Sequence, residues 1–544
     1  MMKKTDLKIF LPLIIAFCLV LGILLGQSFQ NSKGESTLFF PVTPKFSNLT
    51  KLNEIFNFIE DAYVDSVNKN DLMETAITET LAKLDPHSYY IPAKKFETFN
   101  QPLEGNFDGI GVEFRIVKDT VVVINVIEGG PSEKAGLLDG DRIVFVDTIP
   151  ISGAKITNEK VMKLLKGPRG TKVKVKIKRR GEKSLISKTI TRGVIPIKSI
   201  EVAYLIDKDI AYLKISRFSK TTYTEFVEEV SKLKKEGMEK IIIDLRGNGG
   251  GLLNTATAVL DELLPKNKLI VYTKGRARRK QSYYSTPGGI LTEAPVVVLI
   301  NESSASASEI VAGAIQDNDR GIIIGRRSFG KGLVQEQIQW PDGSAIRLTV
   351  ARYYTPSGRC IQKPYEGKSL EDYEMEAYNR YESGELFYED SVHVEDTIKY
   401  YTLKGRVVYG GGGIKPDIFI PIDTSDQTEY YNKLRYFGVF QTYCFNYVDT
   451  HRDKLKNYST IEDFKERFLI SNTLLNDFIN YAEQQGFKYN DAQFKKSKKI
   501  IVNRLKASIA RYYYGDIGFY EIMNNSDNAI KRAISELKHP TIEI

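Results

Sequence analysis

Histidine and cysteine are scarce in this chain. Only four of its 544 residues are histidines and three are cysteines. The sequence contains no HExxH, CxxC or GxSxG motif, and no histidine lies beside a strong motif. These absences argue against a zinc site and a histidine-based catalytic triad, so we predict neither a metal nor a cofactor. Cys360 and Cys444 follow the amino-terminal segment, and we expect two buried free thiols rather than a disulfide.

The rest of the composition is that of a folded protein. Hydrophobic residues make up 42% and charged residues 27%, which argues against disorder and leaves room for several domains. Between residues 155 and 192, fourteen Lys or Arg stand against two Glu. In Lys172–Lys178, however, lysine alternates with valine and isoleucine, which predicts a strand with one solvated face. No nucleic-acid partner is therefore predicted.

The amino terminus has the pattern of a membrane signal. Lys3, Lys4 and Lys8 precede an almost wholly apolar run, Ile9–Leu25. Its length lies between that of a signal-peptide core and that of a short spanning helix, and no convincing cleavage site follows. We predict an uncleaved anchor within residues 1–30, with the basic start in the cytoplasm and the remainder exported.

Four further regions follow the anchor. Residues 31–104 read as a tether and a helical region, and residues 105–192 as a compact β-rich domain. Residues 193–424 alternate between strand and helix patterns, which predicts a largely parallel sheet with helices on its faces. Residues 425–544 are aromatic and mostly helical, and packing and assembly are the roles expected for them.

Two unusual loops follow strands of the predicted parallel sheet. Arg246–Gly251 follows the strand Ile241–Leu245, and Glu302–Ser308 follows the strand Val296–Ile300. Further strands are predicted at Ile210–Ile215 and Ile322–Ile324, and helices at Thr221–Glu236, Leu252–Leu264 and Ala305–Gln316. Ligands of such sheets bind at the carboxyl ends of the strands, so we expect the loops to share one edge and to form the site.

Ser306 is the candidate nucleophile of this edge. It precedes a run with helical apolar spacing, so free N–H groups and the positive end of the helix dipole would favour negative charge there. Ser306-x-x-Glu309 also fits a capping box, in which the serine only holds the helix end. The neighbouring Ser303, Ser304 and Ser308 offer other caps, so the sequence leaves both roles of Ser306 open.

Lys331 is the candidate base, because without histidine a serine hydroxyl needs another group to take its proton. It lies between Gly330 and Gly332, and a desolvated lysine has a pKa low enough to act as a base. Gln335 shares its strand face and would orient the amine without adding charge. The segment Gly325–Gly332 is close to a phosphate-binding loop, but it lacks the Ser or Thr after the lysine, and a strand pattern follows instead of a helix.

A glycine-rich run opens the β-rich domain. Gly109, Ile110, Gly111 and Val112, followed by Ala135-Gly136-Leu137 and Gly140-Asp141-Arg142-Ile143, resemble the carboxylate-binding loop and signature of a PDZ domain. Successive N–H groups of such a loop bind a terminal carboxylate, and the strand beside it pairs with the peptide. The alternative is a turn that only joins two strands.

Taken together, the motifs resemble those of the C-terminal processing (tail-specific) proteases over about residues 50–424. They are Asp244–Gly251, Ser304–Glu309, Phe329–Gly332 with Gln335, Tyr353–Arg359 and Tyr409–Ile414. The resemblance implies an α/β protease core of the crotonase-like, doubly layered kind, with an inserted PDZ domain and helical regions at both ends. It implies Ser306 as nucleophile, Lys331 as general base, Gln335 as the residue that positions the lysine, and the N–H groups of Ala307 and Gly250 as oxyanion donors.

The resemblance also implies the class of substrate, and the amino-terminal segment indicates the location. The substrates would be proteins with free C-termini, and the enzyme would be anchored in the inner membrane of a bacterial cell envelope, with its catalytic part on the periplasmic or extracytoplasmic side. A homo-oligomer or an adaptor is a further expected partner. Lys166 stands where the family often has arginine, so a contact made by a forked guanidinium would differ here. The alternative function is a non-catalytic peptide-binding scaffold or chaperone at the membrane.

Overall fold

The computed structural model describes residues 48–543, apart from residues 118, 154–155, 369 and 393–397. The predicted anchor, Ile9–Leu25, lies outside the described residues. None of the helices within the described ranges is both long enough and apolar enough to cross a membrane. The chain divides into two units, residues 1–73 and residues 74–544. In the first unit, the helix Asn48–Ala62 is followed by the start of the helix Lys69–Ala82.

The second unit is built around a six-stranded sheet. In spatial order its strands are Ile200–Leu205, Ile210–Ile215, Lys240–Asp244, Val296–Ile300, Ile322–Gly325 and Ile418–Phe419. Only the first pair is antiparallel. The predicted parallel sheet is therefore confirmed, and the four predicted strands begin and end within one residue of their predicted positions.

Both faces of this sheet are covered, which explains why its strands read as continuous apolar runs. All five residues of Val296–Ile300 are buried. Three helices cover one face: Thr222–Lys235, Leu253–Asp261 and Ala307–Asp317. The opposite face packs against the helix Asn528–Lys538 near the carboxyl terminus. The C-terminal region thus completes the core of the peptidase-like domain.

A second, mainly antiparallel sheet forms another layer. Its strands are Tyr89–Ile91, Leu269–Lys274, Gln281–Tyr284, Leu333–Gln339 and Ala345–Tyr354. Leu333–Gln339 carries Gln335 and pairs with Ala345–Tyr354. A strand therefore follows Lys331, as predicted, and the segment does not have the strand-to-helix geometry of a phosphate-binding loop.

The β-rich domain has its own sheet and core. Its strands are Val112–Val117, Thr120–Val126, Arg142–Val146, Ile149–Pro150, Lys172–Lys178 and Ile186–Thr191, and its helices are Pro131–Lys134 and Asn158–Leu165. Val173, Val175 and Ile177 are buried between exposed or half-buried lysines, as the alternation predicts. A ribbon of Asn106–Gly109 and Gly193–Pro196 joins the domain to the core.

The C-terminal region is helical, as predicted. Its other helices are Glu429–Tyr436, Val439–Leu455, Ile461–Arg467, Asn472–Gln484, Asp491–Tyr514 and Asp516–Asn524. Their Tyr and Phe side chains form a separate aromatic core. Cys444 is buried there, whereas Cys360 is only half-buried, and neither forms a disulfide within the described residues. The expectation of two buried free thiols is therefore wrong for Cys360.

Four elements complete the second unit. They are the helices Ala93–Glu104 and Leu370–Glu382, the short 3-10 helix Glu389–Ser391 and the hairpin of Lys399–Tyr401 with Val407–Tyr409. The Leu370–Glu382 helix contributes Arg380, whose guanidinium pairs with Glu385 and binds the carbonyl oxygens of Arg327 and Ser328. This helix therefore supports the segment that leads to Lys331.

Candidate active site

The predicted loops meet at the carboxyl edge of the parallel strands. They surround a cavity of about 460 Å³ that is lined by Gly249–Leu253, Ser306, Lys331, Gln335 and Tyr353, among other residues. Because parallel strands end at the same edge, residues far apart in the chain come together there. The structure therefore brings the predicted nucleophile, base and positioning residue into one cavity.

Ser306 occupies an unusual backbone conformation. It immediately precedes the helix Ala307–Asp317, with a φ of 55° and a ψ of −113°. A positive φ in a non-glycine residue costs on the order of 1–3 kcal/mol and is typical of functional sites. Ser304 and Ser308 are buried, and their hydroxyls donate to the carbonyl oxygens of Leu245 and Asn248, both at 2.9 Å. Those two serines tie the serine turn to the glycine loop.

Glu309 forms the carboxylate half of the capping box. Its Oε2 accepts the N–H of Ser306 at 2.8 Å. Ser306 and Glu309 have the capping-box arrangement, but within the described part of the chain the Ser306 hydroxyl accepts no cap hydrogen bond of normal geometry. The well-formed half of the cap is therefore the hydrogen bond from the backbone N–H of Ser306 to Glu309, and Ser306 itself lines the cavity.

The same carboxylate also organises the lysine segment. It accepts hydrogen bonds from Ser328 Oγ at 2.5 Å, from the N–H of Gly330 at 2.7 Å and from the N–H of Lys331 at 2.8 Å. Burial raises the pKa of Glu309, and these hydrogen bonds oppose that effect. The sequence identified Glu309 only as a capping residue; its bridging role depends on contacts across the fold.

Tyr353 provides a second link between the two segments. Its hydroxyl lies 3.1 Å from the carbonyl oxygen of Ser306 and 2.5 Å from that of Lys331. The side chain is fully buried. The position of the lysine backbone relative to the serine backbone is therefore defined by two buried side chains, Glu309 and Tyr353.

The Lys331 amine is held by a neutral partner. Its Nζ donates to Gln335 Oε1 at 3.0 Å, and Gln335 Nε2 donates to the carbonyl oxygen of His87. Burial lowers the pKa of Lys331, and the positive charge of Arg347 lowers it further, while Asp85 and Glu309 act in the opposite direction. In the described residues no hydrogen bond joins Lys331 Nζ to Ser306 Oγ, although both side chains line the same cavity.

His87 lies close to the lysine, which the sequence did not indicate. Burial, with help from the charge of Lys331, lowers the pKa of His87 to about 4, so its ring is neutral at neutral pH. A ring nitrogen lies 2.9 Å from the hydroxyl of Tyr373. The contribution of His87 to the site is its backbone carbonyl, which orients the Gln335 amide. The turn is stabilised by Asp85, whose Oδ1 accepts the N–H of His87 at 2.8 Å.

The glycine loop packs directly against the serine turn. A Cβ on Gly250, whose φ is +99°, would lie 2.6 Å from the carbonyl oxygen of Ala305 and 2.8 Å from Ser306 Cβ. Asn248 Oδ1 accepts the N–H of Gly250 at 2.8 Å, and Asn248 Nδ2 donates to the carbonyl of Ile215 at 2.9 Å. Ala307 begins the helix, and its N–H has no partner among the described residues, as expected for a first-turn donor.

The other predicted binding loop lies in the β-rich domain. Gly109, Ile110 and Gly111 are buried, and Val112 begins a strand. The carbonyl oxygens of Ile110 and Gly111 accept the N–H groups of Ser132 and Ile127 at 2.9 and 3.1 Å. This is a glycine loop followed at once by a strand, the arrangement that the prediction requires.

Lys166 joins this domain to the rest of the unit. Its Nζ donates to Gln101 Oε1 at 2.8 Å and lies 4.5 Å from the centre of the Phe107 ring. The ammonium of Lys166 makes this contact as a point charge, whereas the forked guanidinium of an arginine at this position would make a different one. No group of three or more His, Cys, Asp or Glu is arranged to hold a metal ion in the residues that the structure describes.

Four family models match the sequence. Peptidase family S41 matches residues 209–368, and the PDZ domain matches residues 109–189. The activating protease CtpB N-terminal domain matches residues 26–95. A family of unknown function, DUF8443, matches residues 430–515. The matched ranges follow the order of the anchor-proximal, β-rich, α/β and helical regions.

Curated relatives are similar over most of their own length. A carboxy-terminal-processing protease of Bartonella bacilliformis is 37% identical over 62% of this chain and 76% of its own. The carboxy-terminal processing protease CtpA of Bacillus subtilis is 31% identical over 70% of this chain and 82% of its own. Among solved structures, a photosystem II D1 C-terminal processing protease is 28% identical over 58% of this chain and 90% of its own, with a TM-score of 0.32.

Proposed function

Because this chain belongs to the carboxy-terminal processing proteases of peptidase family S41 and is a serine peptidase with a PDZ domain, we propose that Ser306 and Lys331 carry out its chemistry. Ser306 is the nucleophile, Lys331 the general base and Gln335 the positioning residue. The observation that carries the assignment is the amine of the half-buried Lys331, which lines the cavity of Ser306 and is bound by a neutral amide rather than by a carboxylate.

The proposed reaction is acyl transfer in two steps. The neutral amine of Lys331 takes the proton of Ser306 Oγ as that oxygen attacks the peptide carbonyl. The protonated amine then gives this proton to the leaving nitrogen, and an acyl-enzyme remains. Water hydrolyses the ester with Lys331 again as base. This transfer requires Lys331 Nζ to reach Ser306 Oγ within the cavity that both residues line.

The proposed oxyanion donors lie on either side of Ser306. The N–H of Ala307 has no protein partner within the described ranges and points from a helix N-terminus, where it would stabilise a developing negative charge. The N–H of Gly250 already donates to Asn248 Oδ1. In this proposal it is shared between that oxygen and the substrate oxygen. One such donor is worth about 3 kcal/mol of barrier.

A groove leads to this cavity from the linker of the PDZ domain, which is the ribbon of Asn106–Gly109 and Gly193–Pro196. A neighbouring cavity of about 620 Å³ is lined by Asn106–Asp108 of the linker strand. It shares Leu252, Gln335 and Arg347 with the catalytic cavity. We propose that Gly109, Ile110, Gly111 and Val112 bind the carboxylate of a protein tail, and that the groove guides the chain ahead of it to Ser306.

The cellular setting is proposed from the sequence. The basic residues and the apolar run Ile9–Leu25 anchor the protein in an inner membrane, and the peptidase faces the periplasmic side of a bacterial envelope. A homo-oligomer or an adaptor is a further proposed partner. Protease accessibility in spheroplasts tests the orientation: digestion of the peptidase region only after outer-membrane removal supports it, and protection until lysis contradicts it.

The test of the peptidase assignment compares serine and lysine variants. We expect Ser306→Ala and Lys331→Ala to abolish cleavage of an unfolded protein with an apolar tail while they retain binding of that tail. Ser303→Ala is the matched control, because Ser303 lies in the same turn but is exposed. Undiminished cleavage by Ser306→Ala would contradict the assignment. Cleavage by none of the proteins, with tail binding intact, would favour the non-catalytic scaffold.

A further inference from the structure

The cavity of Ser306 has an uncompensated positive charge. Two arginines, Arg217 and Arg347, line it beside the amine of Lys331, which is neutral in the proposed mechanism, and no Asp or Glu of the described residues lines it. The remaining lining groups are apolar or neutral. The mechanism accounts for Lys331, but it assigns nothing to the two arginines.

Arg217 is rigidly placed at the catalytic edge. It follows the strand Ile210–Ile215, so it lies at the same end of the sheet as the glycine loop and the serine turn. The N–H of Ser216 donates to the carbonyl of Ser199, and the N–H of Phe218 donates to the carbonyl of Gly250, both at 2.9 Å. The backbone on each side of Arg217 is thereby fixed, and Phe218 is fully buried.

The guanidinium of Arg217 has no partner in the described part of the chain. Its Nε is buried without a hydrogen bond, and neither Nη forms an ion pair, a hydrogen bond or a ring contact there. Three other arginines also leave Nε unbonded, but the Nη2 atoms of Arg359 and Arg532 bind the carboxylates of Asp317 and Glu536 at 2.7 Å. The guanidinium of Arg504 lies 5.8 Å from the centre of the Phe440 ring. A buried donor without a partner is costly, and the two Nη groups of this cavity-lining residue remain available for a ligand.

Arg347 adds to the positive potential. Its guanidinium donates to Tyr89, Asn100 and Gln337, which are all neutral. It also lies in the wall that the catalytic cavity shares with the neighbouring groove. The charge of Arg347 is therefore bound by neutral dipoles rather than by a carboxylate, although Glu97, Glu104 and Asp108 also line the groove.

We propose that Arg217 is a specificity-determining residue that binds a substrate carboxylate next to the scissile bond. This inference rests on the proposed peptidase function and deepens it. A planar guanidinium matches a carboxylate through two parallel hydrogen bonds. The carboxylate is supplied either by an Asp or Glu side chain of the substrate or by its free C-terminus, which would leave a short product.

The experiment uses purified full-length protein and paired peptides with a common apolar tail. In the first arm, Glu replaces Gln at each position flanking the scissile bond. In the second arm, the substrate peptide ends shortly after the scissile bond, and its C-terminus is either a free carboxylate or an amide. We expect the wild type to prefer one acidic set by at least roughly tenfold in kcat/KM, because a hydrogen bond to a charged group has that effect.

Variants of Arg217 test whether its side chain causes this preference. Arg217→Gln should reduce the acid-to-neutral ratio to about one, Arg217→Lys should restore part of it, and Arg217→Glu should invert it toward cationic peptides. Arg276→Gln, which alters an exposed arginine outside the cavity, is the control and should keep the wild-type ratio. A preference in the first arm identifies a side-chain carboxylate and one in the second identifies the chain terminus.

Two outcomes would overturn the inference: a wild-type ratio near one in both arms, or an unchanged ratio in Arg217→Gln. Peptide binding to Ser306→Ala, with and without Arg217→Gln, is measured in parallel. If no peptide is cleaved, the proposed catalysis fails, yet the binding ratio still decides whether Arg217 selects a carboxylate.

Discussion

The buried carboxylate of Glu309 accepts the backbone N–H of Lys331 at 2.8 Å across 22 residues of sequence. The same group holds the N–H of Ser306. The helix that carries the nucleophile and the segment that carries the base therefore share one acceptor. A change at Glu309 should alter stability and catalysis together.

We expect Glu309→Gln to be destabilising and nearly inactive. Both oxygens of Glu309 accept hydrogen bonds. In the glutamine variant an NH₂ group replaces one of them, so the donors on that side lose their acceptor, and each buried donor left unpaired costs about 1–3 kcal/mol. The free energy of unfolding measured in urea and kcat/KM should both decrease. Glu228→Gln, at an exposed helical position, should change neither. Wild-type stability in Glu309→Gln would show that the shared carboxylate is dispensable.

Gly250→Ala should lower kcat without removing tail binding. The new Cβ would lie 2.6 Å from the carbonyl oxygen of Ala305, so the loop or the serine turn must move. Small displacements of a reacting group reduce rates by about a hundredfold. Gly249→Ala is the matched control, because its Cβ would meet no atom within 4 Å. Steady-state kinetics of the two variants make the comparison, and equal rates would contradict the predicted clash.

Gln335→Glu should shift the activity profile to higher pH. A carboxylate 3.0 Å from the Lys331 amine in place of the amide oxygen would favour the charged amine and raise its pKa. Since only the neutral amine accepts a proton, activity at neutral pH should fall and recover as the pH rises. A pH–kcat/KM profile measures this. Gln339→Glu, at an exposed position on the same strand and outside the catalytic cavity, should leave the acid limb in place.

Removal of Arg347 should act in the same direction through charge alone. Burial and the charge of Arg347 lower the pKa of Lys331. In Arg347→Met the second cause is lost, so the pKa rises and the acid limb of kcat/KM moves to higher pH. Arg276→Met should not move it. An acid limb that moves to lower pH in Arg347→Met would contradict the assigned base.

The C-terminal helix can be tested through stability. Ile530 is almost fully buried against the second face of the core sheet. We expect Ile530→Ala to lower the free energy of unfolding by about 2–5 kcal/mol. Lys531→Ala alters the adjacent exposed residue and should have little effect. Equal chemical denaturation curves for the two variants would mean that the helix does not support the core.

The parallel strands could be predicted from the sequence because their apolar runs are short, separate and flanked by loop residues. The helix beginning after Ser306 was predictable from its apolar spacing. The site was harder. Glu309, Tyr353 and the carbonyl of His87 act through contacts between distant segments, and no local pattern records such contacts. The packing of Asn528–Lys538 on the core sheet could not be predicted either, because apolar spacing along a helix does not show which surface the helix packs against.

By itself the sequence determined which residues are able to perform chemistry. With histidine and cysteine so scarce, a serine at a helix start and a glycine-flanked lysine were the remaining pair for acyl transfer. Only the tertiary structure decided how they are prepared for it. The desolvation that lowers the pKa of Lys331 and the neutral amide that holds its amine depend on which groups share one cavity. The same holds for the guanidinium of Arg217, which is unpaired among the described residues. That arrangement arises because parallel strands end at a common edge.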